Sequence, residues 1–357
     1  MTSPEPLAAT DPASIRLTTL THGGGCGCKI APKVLREALA GVSGGFPHPD
    51  LLVGSATADD AAVFRLNDRQ ALVATTDFFM PIVDDPRDFG RIAATNAISD
   101  VYAMGATPVL ALAILGMPVN TLPLEVIRRI MEGGAEVCRE AGVALAGGHS
   151  IDSPEPIYGL AVIGLADPGH IKRNDSARAG DVLVLGKPLG VGVLSAALKK
   201  GLLSAEGYAE MLAVTTRLNT VGLRFGAFDA VHAMTDVTGF GLLGHMLEIC
   251  RGSGLAARIR FDRLPVLPTA LVLAPQGIGP GAIERNWASY GQEVRLSPEL
   301  PAWVQRLLCD PQTSGGLLVA CAPEAVAGVL DCFHADGFTE AAVIGALESG
   351  HPQVGVE

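Results

Sequence analysis

Residues 22–29 read His-Gly-Gly-Gly-Cys-Gly-Cys-Lys, which concentrates chemically active side chains near the start of the chain. Glycines allow a backbone to approach a ligand closely. A lysine beside a thiol favours ionisation of the thiol, and the thiolate is the reactive form of cysteine. Lys29 does not belong to a phosphate loop of the common nucleotide-binding type, since Ile30 follows it where that motif requires Ser or Thr. The segment predicts a reactive loop built around Cys26 and Lys29; the alternative is a flexible loop with incidental cysteines.

Aspartates recur at the ends of apolar segments, where α/β proteins place their ligands. These aspartates are Asp59, Asp60, Asp77, Asp100 and Asp236. Several carboxylates brought together repel one another, and a hard divalent cation such as Mg²⁺, which prefers oxygen ligands, relieves that repulsion. Each aspartate taken singly is explained by a helix cap or a turn. Together with the glycine-rich turns, they predict a site for a metal ion and a polyphosphate.

Residues 147–150 read Gly-Gly-His-Ser, follow a predicted strand and are interpreted as a turn. The backbone N–H groups of such a turn are suited to hold a phosphate or a ribose, although a tight turn with a solvent-facing His149 explains the pattern equally well. His22 is similarly ambiguous, because a histidine beside the reactive loop is either a base or a solvated side chain. Residues 310–316 read Asp-Pro-Gln-Thr-Ser-Gly-Gly and predict a turn before an edge strand.

The 357 residues are enough for two domains of ordinary size, each with its own core. Hydrophobic residues make up 48% of the chain, but its 43 glycines place much of the non-polar character in small residues. The longest apolar stretch, 109–119, is too short to span a bilayer, and residues 1–15 lack the features of a secretory signal. We therefore expect a cytoplasmic protein without a membrane partner.

The formal net charge of −11 argues against a nucleic-acid partner, because non-specific binding of nucleic acid requires a basic surface. It does not exclude an anionic ligand, since a divalent cation can supply the positive charge. Seven cysteines in a long chain without a predicted signal do not indicate a disulfide framework. Five of them are expected to be small buried core residues, whereas Cys26 and Cys28 lie in a polar, glycine-rich setting.

Predicted strands and helices alternate along the chain without a regular βαβ rhythm or a tandem repeat. In the first half, strands are predicted over 70–75, 109–115, 143–146 and 158–165, and helices over 89–104 and 124–141. In the second half, strands are predicted over 182–185, 230–234, 317–321 and 342–346, and helices over 191–200, 208–224 and 242–251. A polar, turn-rich stretch over 167–180 separates the halves. The pattern predicts mixed α/β or α+β domains.

Seven segments together resemble the selenophosphate synthetase family, also called selenide, water dikinase. They are 22–29, 57–63, 75–81, 90–104, 146–156, 234–245 and 309–318, in the family's order, and they cover nearly the whole chain from about residue 16. The resemblance implies the mixed α/β fold of the aminoimidazole ribonucleotide synthetase superfamily, with two domains and a homodimer whose N-terminal domains jointly form a β-barrel. It divides the chain into a flexible N-terminal segment with the reactive loop (1–50), an ATP- and magnesium-binding domain (51–170) and a C-terminal α/β domain (171–357).

The implied reaction converts ATP, selenide and water to selenophosphate, AMP and orthophosphate. By this resemblance the catalytic residues are Cys26 and Lys29, and the magnesium ligands are Asp60, Asp100 and Asp236. The implied nucleotide contacts are Lys29, Thr57, Ala58, Asp59, Asp77, Asp100, Gly148, His149 and Ser150. Relatives often carry a larger residue where this chain has Ala58, so a contact there is expected through the backbone. Mg²⁺ and ATP are thus expected, while a requirement for K⁺ and a protein that delivers selenium are left open.

In this interpretation Lys29 neutralises charge on the phosphoryl group in transfer, and Cys26, flanked by glycines, presents an unshielded thiol that handles selenium. Because the carboxylates are distant from this loop in sequence, Cys26 and Lys29 are expected to act on product formation rather than on Mg·ATP binding. Two other functions fit parts of the pattern. One is a non-enzymatic selenium or soft-metal carrier that uses Cys26 and Cys28. The other is a purine-pathway cyclo-ligase of the same fold, which gives this loop no role.

Overall fold

The computed structural model of the protein describes residues 15–30, 32–39, 48–54 and 58–357. Within these ranges the chain forms two open β-sheets that belong to its successive halves, each accompanied by helices. The mixed α/β class and the two-domain architecture predicted from the sequence are thereby confirmed. Residues 1–14 of the predicted flexible segment lie outside the described residues. Among the helices of the described ranges, none combines the length and the apolar character that crossing a bilayer requires.

The first half of the chain builds a six-stranded sheet. Its strands are β1 (Leu51–Val53), β2 (Ala62–Asn67), β3 (Gln70–Phe79), β4 (Thr107–Met117), β5 (Ala144–Asp152) and β6 (Ile157–Ala166). Its helices are α1 (Pro32–Leu39), α2 (Pro86–Ala103) and α3 (Leu124–Glu140). The strand order is β1-β2-β3-β6-β4-β5, and all neighbours are antiparallel except β4 and β5. Strands β1 and β5 are therefore the two edges of this sheet.

The second half builds a seven-stranded sheet. Its strands are β7 (Val182–Leu185), β8 (Val231–Asp236), β9 (Leu255–Ile259), β10 (Val294–Leu296), β11 (Leu317–Cys321), β12 (Ala342–Ser349) and β13 (Gln353–Val356). Its helices are α4 (Val191–Lys199), α5 (Ala205–Thr215), α6 (Gly222–Gly226), α7 (Gly241–Ser253), α8 (Pro268–Leu273), α9 (Ala282–Tyr290), α10 (Ala302–Leu308) and α11 (Val326–Ala335). The strand order is β10-β13-β9-β12-β7-β11-β8, so β11 is an interior strand and its predicted edge position is wrong.

Helix α2 is fixed at its start by local sequence and along its length by close packing. The Asp85 side chain caps it by accepting the Asp88 N–H at 3.0 Å, and Pro86 occupies the first turn, where no N–H is needed. Helix α3 crosses it with almost no space between the backbones, since a Cβ on Gly90 would lie 1.9 Å from the Ile130 carbonyl oxygen. The absence of a side chain at Gly90 thus allows α2 and α3 to pack with their backbones in close contact.

The C-terminal half of α2 lies at the junction of the two halves of the molecule. Helix α2 packs against β3 and β6 of the first sheet and also contacts β8 and α5 of the second half. Its polar residues Asn96, Ser99 and Asp100 are all buried there. Burial of a polar group costs free energy unless the group is hydrogen-bonded. The polar side chains of this helix therefore require partners at the junction.

The predicted turn at residues 147–150 is wrong, because these residues continue strand β5. Gly147 and Gly148 have φ angles of +95° and +151°, and the register with β4 shifts next to Ala113. A Cβ on Gly148 would lie 2.0 Å from the Ala113 carbonyl oxygen. The glycines therefore form a bulge that keeps the strand paired instead of ending it.

The helix predicted over 208–224 is two helices, α5 and α6, with a break between them. Helix α5 ends where the Thr215 and Thr216 hydroxyls donate to carbonyls one turn earlier, which weakens helix continuation. In the break, Asn219 Nδ2 donates to Ser99 Oγ at 2.8 Å and to the Gly315 carbonyl at 2.9 Å. The break thus allows Asn219 to reach the junction, which a continuous helix would not.

Candidate active site

The reactive loop is packed down onto the junction of the two sheets. Residues Gly25–Cys28 form one turn of 3-10 helix, and the Gly25 N–H donates to the Met80 carbonyl at 2.7 Å. Gly25 has φ +53°, and a Cβ there would lie 2.3 Å from both Ile82 Cγ2 and Thr313 Oγ1. Glycine is therefore required at this position by close approach as well as by backbone conformation.

Cys26 is fully buried, so the expectation of an unshielded thiol is wrong for this conformation. Its N–H donates to Thr313 Oγ1 at 3.0 Å, and its Sγ donates to Asn96 Oδ1 at 3.2 Å. Burial raises the pKa of the Cys26 thiol well above its ordinary value, and the charge of Asp77 raises it further, against a smaller opposing effect of Lys29. The closed loop therefore keeps this sulfur as a thiol.

Lys29 binds the carboxylate of Asp77, with 3.0 Å between Nζ and Oδ2. Asn96 Nδ2 donates to the same oxygen at 2.9 Å. Burial lowers the pKa of Lys29, but the charge and hydrogen bond of Asp77 together with the charges of Cys26 and Asp100 outweigh that effect and raise the pKa well above its ordinary value. Cys26, Asn96, Asp77 and Lys29 thus form one continuous chain of hydrogen bonds, which we call the loop network.

The three predicted magnesium ligands meet at the same junction. Each accepts a hydrogen bond from a neighbouring hydroxyl, namely Asp100 from Thr75 at 2.6 Å, Asp236 from Ser99 at 2.5 Å and Asp60 from Thr235 at 2.9 Å. Asp60 comes from the segment before β2, Asp100 from α2 and Asp236 from the end of β8. Both halves of the chain therefore contribute a carboxylate.

The raised pKa values of these three carboxylates indicate a site in which too little positive charge offsets their negative charges. Burial raises the pKa of Asp60, Asp100 and Asp236, and the Asp236 charge adds to the rise at the other two. Within the part of the chain that the structure describes, Asp60 Oδ2 is buried without a hydrogen-bond partner. In the same described ranges, no three His, Cys, Asp or Glu side chains converge closely enough to enclose a metal ion. The orphan oxygen and the mutual repulsion fit Mg²⁺, and the ligand assignment stays a prediction.

Three predicted nucleotide contacts lie in the segment that leads to Asp60. Thr57 is outside the described residues. Ala58 has φ +53°, and its carbonyl accepts Asn174 Nδ2 at 2.9 Å. Asp59 Oδ1 accepts the Asn174 N–H at 2.7 Å. In this structure Ala58 and Asp59 therefore tie the segment to the stretch between the two sheets.

Three further predicted contacts, Gly148, His149 and Ser150, do not lie at the junction. They are exposed on β5, the edge strand of the first sheet. Strands β6 and β4 separate β5 from β3, which carries Asp77, so three strand spacings of roughly 4.8 Å give about 14 Å between them. A single chain therefore does not bring these residues to the loop network.

Asn96 and Ser314 fix the position of the reactive loop, and neither is among the site residues predicted from the sequence. Asn96 Oδ1 accepts both the Cys26 thiol and the Ser314 N–H, the latter at 2.6 Å. Ser314 has φ +53°, a conformation that is rare for a residue with a side chain and that clusters at functional sites. Its carbonyl accepts Lys187 Nζ at 2.9 Å. Asn96 and Ser314 lie in the segments 90–104 and 309–318 that resemble the family, and the run at 310–316 by itself predicts only a turn.

Two neighbouring side chains of that run hold the start of α4. Gln312 Oε1 accepts the N–H groups of Gly190 and Val191 at 3.0 and 3.1 Å, and Asp310 Oδ2 accepts that of Val193 at 3.2 Å. These are backbone donors that a helix leaves free at its start. The segment 310–316 thus links α4 to the loop network.

The chain is a member of the AIR synthase related proteins. The sequence model described as AIR synthase related protein, N-terminal domain, matches residues 58–166, and the corresponding C-terminal domain matches residues 178–357. Among solved structures, thiamine-monophosphate kinase from Stenotrophomonas maltophilia has a TM-score of 0.61 and 22% identity, over 92% of this chain and 96% of that chain. At such identity the likeness concerns the fold alone.

Curated relatives are far more similar in sequence. The protein named selenide, water dikinase from Burkholderia pseudomallei is 64% identical over 347 residues, which are 97% of this chain and 98% of the relative. The protein of the same name from Burkholderia ambifaria is 65% identical over the same shares. The chain belongs to the selenide, water dikinase family.

Proposed function

We propose that the protein catalyses the ATP-dependent synthesis of selenophosphate from selenide and water, with release of AMP and orthophosphate. The observation that carries the proposal is the loop network, in which a cysteine and a lysine of a glycine-rich loop are joined through Asn96 and the buried carboxylate of Asp77. This arrangement occurs in a chain 64% identical to a protein named selenide, water dikinase. A phosphoryl transfer needs positioning and neutralisation of charge, and the junction offers both.

The side chains divide between nucleotide binding and chemistry. Asp60, Asp100 and Asp236 would hold Mg²⁺, which when bound supplies positive charge to the triphosphate. Lys29 carries a mobile cation to the phosphoryl group in transfer, and Asp77 holds that cation until the substrate arrives. Cys26 is the residue that the family resemblance assigns to selenium, and its thiol lies in the loop network beside Lys29.

The closed loop shields the reaction from water. Gly25 fits into a space without room for a Cβ, and the Cys26 backbone and thiol are both hydrogen-bonded. Substrates require the loop to open, and its closure then excludes water from the reacting groups. The buried, protonated thiol of Cys26 describes the closed state; an open loop exposes it and favours the thiolate.

The proposal includes a homodimer. Strand β5 leaves an unpaired edge in one chain, and an exposed edge strand is a template for pairing with another chain. Apolar side chains such as Phe78 and Ile151 are exposed on the same sheet. Gly148, His149 and Ser150 lie on this edge strand, so a second protomer that pairs with the edge would lie beside a nucleotide that contacts them.

The test is an anaerobic reaction of the purified protein with Mg·ATP and selenide, followed by ³¹P NMR. We expect a selenophosphate resonance together with AMP and orthophosphate, and none of the three without selenide. Accumulation of ADP without selenophosphate would contradict the proposal. The carrier alternative predicts stoichiometric selenium binding without consumption of ATP, and it is not favoured, because Cys26 Sγ is buried against Asn96.

A further inference from the structure

A cavity of about 590 Å³ lies on the outer side of the reactive loop. We call it the outer cavity and define it by Gly27, Cys28, Lys199, Lys200 and Arg285, which line it. It is bounded by the loop, by the C-terminal end of α4 and by the start of α9. Lys29 of the loop network also lines the cavity, whereas Cys26 contacts Asn96 and is not among the lining residues.

The outer cavity is lined by positive charge. Lys199 Nζ donates to the Thr21 carbonyl and Arg285 Nη2 donates to the Gly27 carbonyl, each at 2.8 Å. Neither bond neutralises a cation, since a carbonyl is uncharged. Lys200 is exposed at the end of α4 and has neither a hydrogen-bond partner nor an ion-pair partner on its side chain within the described ranges. No acidic residue is among the described residues that line the cavity.

Glu155, an acidic group that interacts electrostatically with Lys199, is already paired with His22. Glu155 accepts His22 Nδ1 at 2.9 Å and the His22 N–H at 2.7 Å, at the rim of the cavity. The cavity therefore keeps an excess of positive charge, and clefts with one sign of charge raise the local concentration of the opposite ion. A helix C-terminus such as that of α4 accounts for some of the lysines, but not for Arg285, which comes from α9.

Cys28 adds a soft, uncharged group to this basic wall. Burial raises its pKa, against the opposing effect of a hydrogen bond with the Met80 backbone, so its sulfur does not repel an anion at neutral pH. Gly23 Cα lies beside it, since a Cβ there would be 3.3 Å from Cys28 Cβ. The wall thus combines cations, small residues and one neutral thiol with a weak S–H donor, a combination that attracts a small anion.

We propose that the outer cavity is the access site for selenide, where the hydroselenide anion binds before the loop opens and admits it to Cys26. The assignment to selenide rests on the proposed function. The carboxylates that serve Mg·ATP do not line this cavity, and Lys29, which lines it and binds Asp77, connects it to the nucleotide site.

The first test measures the potential at Cys28 without turnover. The protein is alkylated with iodoacetate or with iodoacetamide, and tandem mass spectrometry gives the rate at Cys28 for the charged and the neutral reagent. We expect Lys200→Gln to lower the iodoacetate-to-iodoacetamide ratio by about threefold, because it removes one positive charge from the lining of the cavity that Cys28 also lines. Arg69→Gln, which removes an exposed cation on the β2–β3 turn, should leave the ratio unchanged. Equal ratios in wild type and Lys200→Gln would overturn the proposal.

The second test is kinetic. Lys200→Gln should raise KM for selenide several-fold and leave KM for ATP and kcat unchanged, and Lys200→Arg should restore the wild-type value. An unchanged selenide KM in an active protein overturns the access site alone. If the wild-type protein lacks selenide-dependent turnover, the proposed function fails together with the assignment to selenide. The alkylation ratio then still decides whether the cavity attracts anions.

Discussion

Cys26 on the reactive loop and Asn96 on α2 are joined by a hydrogen bond of 3.2 Å between Sγ and Oδ1, across 70 positions of sequence. Asn96 uses its other amide atom, Nδ2, to donate to Asp77, which in turn holds Lys29. One side chain of a buried helix therefore sets the position of both the thiol and the ammonium of the loop. The positions of the Cys26 thiol and the Lys29 ammonium therefore depend on α2 as well as on the glycines of the loop.

Replacing Asn96 should uncouple the loop from α2. Asn96→Ala removes the partner of the Cys26 thiol, of Asp77 and of the Ser314 N–H, and we expect it to lower the free energy of unfolding by about 1–3 kcal/mol. Misplacement of the thiol should reduce selenophosphate formation by about a hundredfold. Thr95→Val is the matched control, because the Thr95 hydroxyl bonds only to the Arg91 carbonyl within α2. Wild-type turnover in Asn96→Ala would show that the loop network does not position the reacting groups.

The sequence predicted the parts of the site that depend on residue type and order. The alternation of strands and helices predicted the mixed α/β class. The recurrence of aspartates at the ends of apolar segments predicted a metal and polyphosphate site, and the family resemblance named Asp60, Asp100 and Asp236 as its magnesium ligands. The structure places all three at one junction. Such residues can be recognised in a sequence because charged side chains are rarely buried. A carboxylate directly after an apolar segment is therefore conspicuous.

The residues that seat the loop could not be predicted in this way. Asn96 lies inside a helix where nothing in its spacing distinguishes it, and Thr313 meets Cys26 across 287 positions of sequence. A glycine-rich loop is typical of flexibility, whereas here Gly25 is required by a contact with Ile82 that only the folded chain creates. The burial of Cys26 therefore follows from tertiary packing, which overrides the local pattern. The same applies to 147–150, where pairing with β4 makes a strand of an apparent turn.

The buried carboxylates are expected to lower the free energy of unfolding of the free protein while they contribute to Mg·ATP binding. Asp60→Asn at pH 8 removes one of three like charges from a buried cluster, so without divalent cations it should raise the free energy of unfolding by about 1–2 kcal/mol. Mg·ATP at 100 times its Kd should stabilise the wild type by about 2.7 kcal/mol and the variant by much less. Urea unfolding with Mg·ATP and after chelation by EDTA measures both effects. Asp68→Asn, in an exposed turn, serves as the control. Equal stabilisation of Asp60→Asn and wild type by Mg·ATP would remove Asp60 from the ligand set.

The loop side chains should separate by role. Cys26→Ser keeps a donor for Asn96 Oδ1 and should fold, but it should lose selenophosphate formation because oxygen replaces the soft sulfur. Lys29→Ala should slow turnover by about a hundredfold through loss of charge at the phosphoryl group. It should also change Mg·ATP affinity, contrary to the expectation from sequence, since Lys29 binds Asp77 and its charge lowers the pKa of Asp100 against larger opposing effects. Product formation and nucleotide affinity are measured side by side.

Variants of two further cysteines, Cys28 and Cys332, test whether the loss of activity is specific to Cys26. Cys28→Ser should lower activity by a few-fold at most, and Cys332→Ser, on α11 and far from the loop, should behave as wild type. An active Cys26→Ser with an inactive Cys28→Ser would reverse the assignment of the two loop cysteines. Full activity in both would show that neither thiol takes part when free selenide is supplied.

The dimer proposal predicts a light-scattering mass of twice the 36.8 kDa of one chain at micromolar concentration. Ile151→Lys places a charge on the exposed edge strand β5 and should weaken association at least about tenfold, since burial of an isoleucine contributes roughly 1.5–3 kcal/mol. Val272→Lys changes a similarly exposed apolar side chain on α8 and should leave the mass unchanged. A wild-type mass of one chain at these concentrations contradicts the dimer.

The last prediction concerns pH and Asp310, which is fully buried beside the start of α4. Burial raises the pKa of Asp310 to about 7 from an ordinary value of 3.8. Between those pH values the folded chain keeps a proton that the unfolded chain has lost, so this group makes the free energy of unfolding fall as pH rises. The cost is absent below about pH 4 and fully present above pH 7, where it amounts to a few kcal/mol at most.

Asp310→Asn should therefore become more stable relative to wild type as the pH rises from 4 to 8, with little further change above that. Lys187, whose pKa burial lowers to about 7, acts in the opposite sense above pH 7, but it is present in both proteins and cancels in the difference. Urea unfolding of both proteins at several pH values measures the difference, and Asp331→Asn on the exposed face of α11 is the control. A difference between Asp310→Asn and wild type that is constant from pH 4 to 8 would show that Asp310 titrates as an ordinary carboxylate.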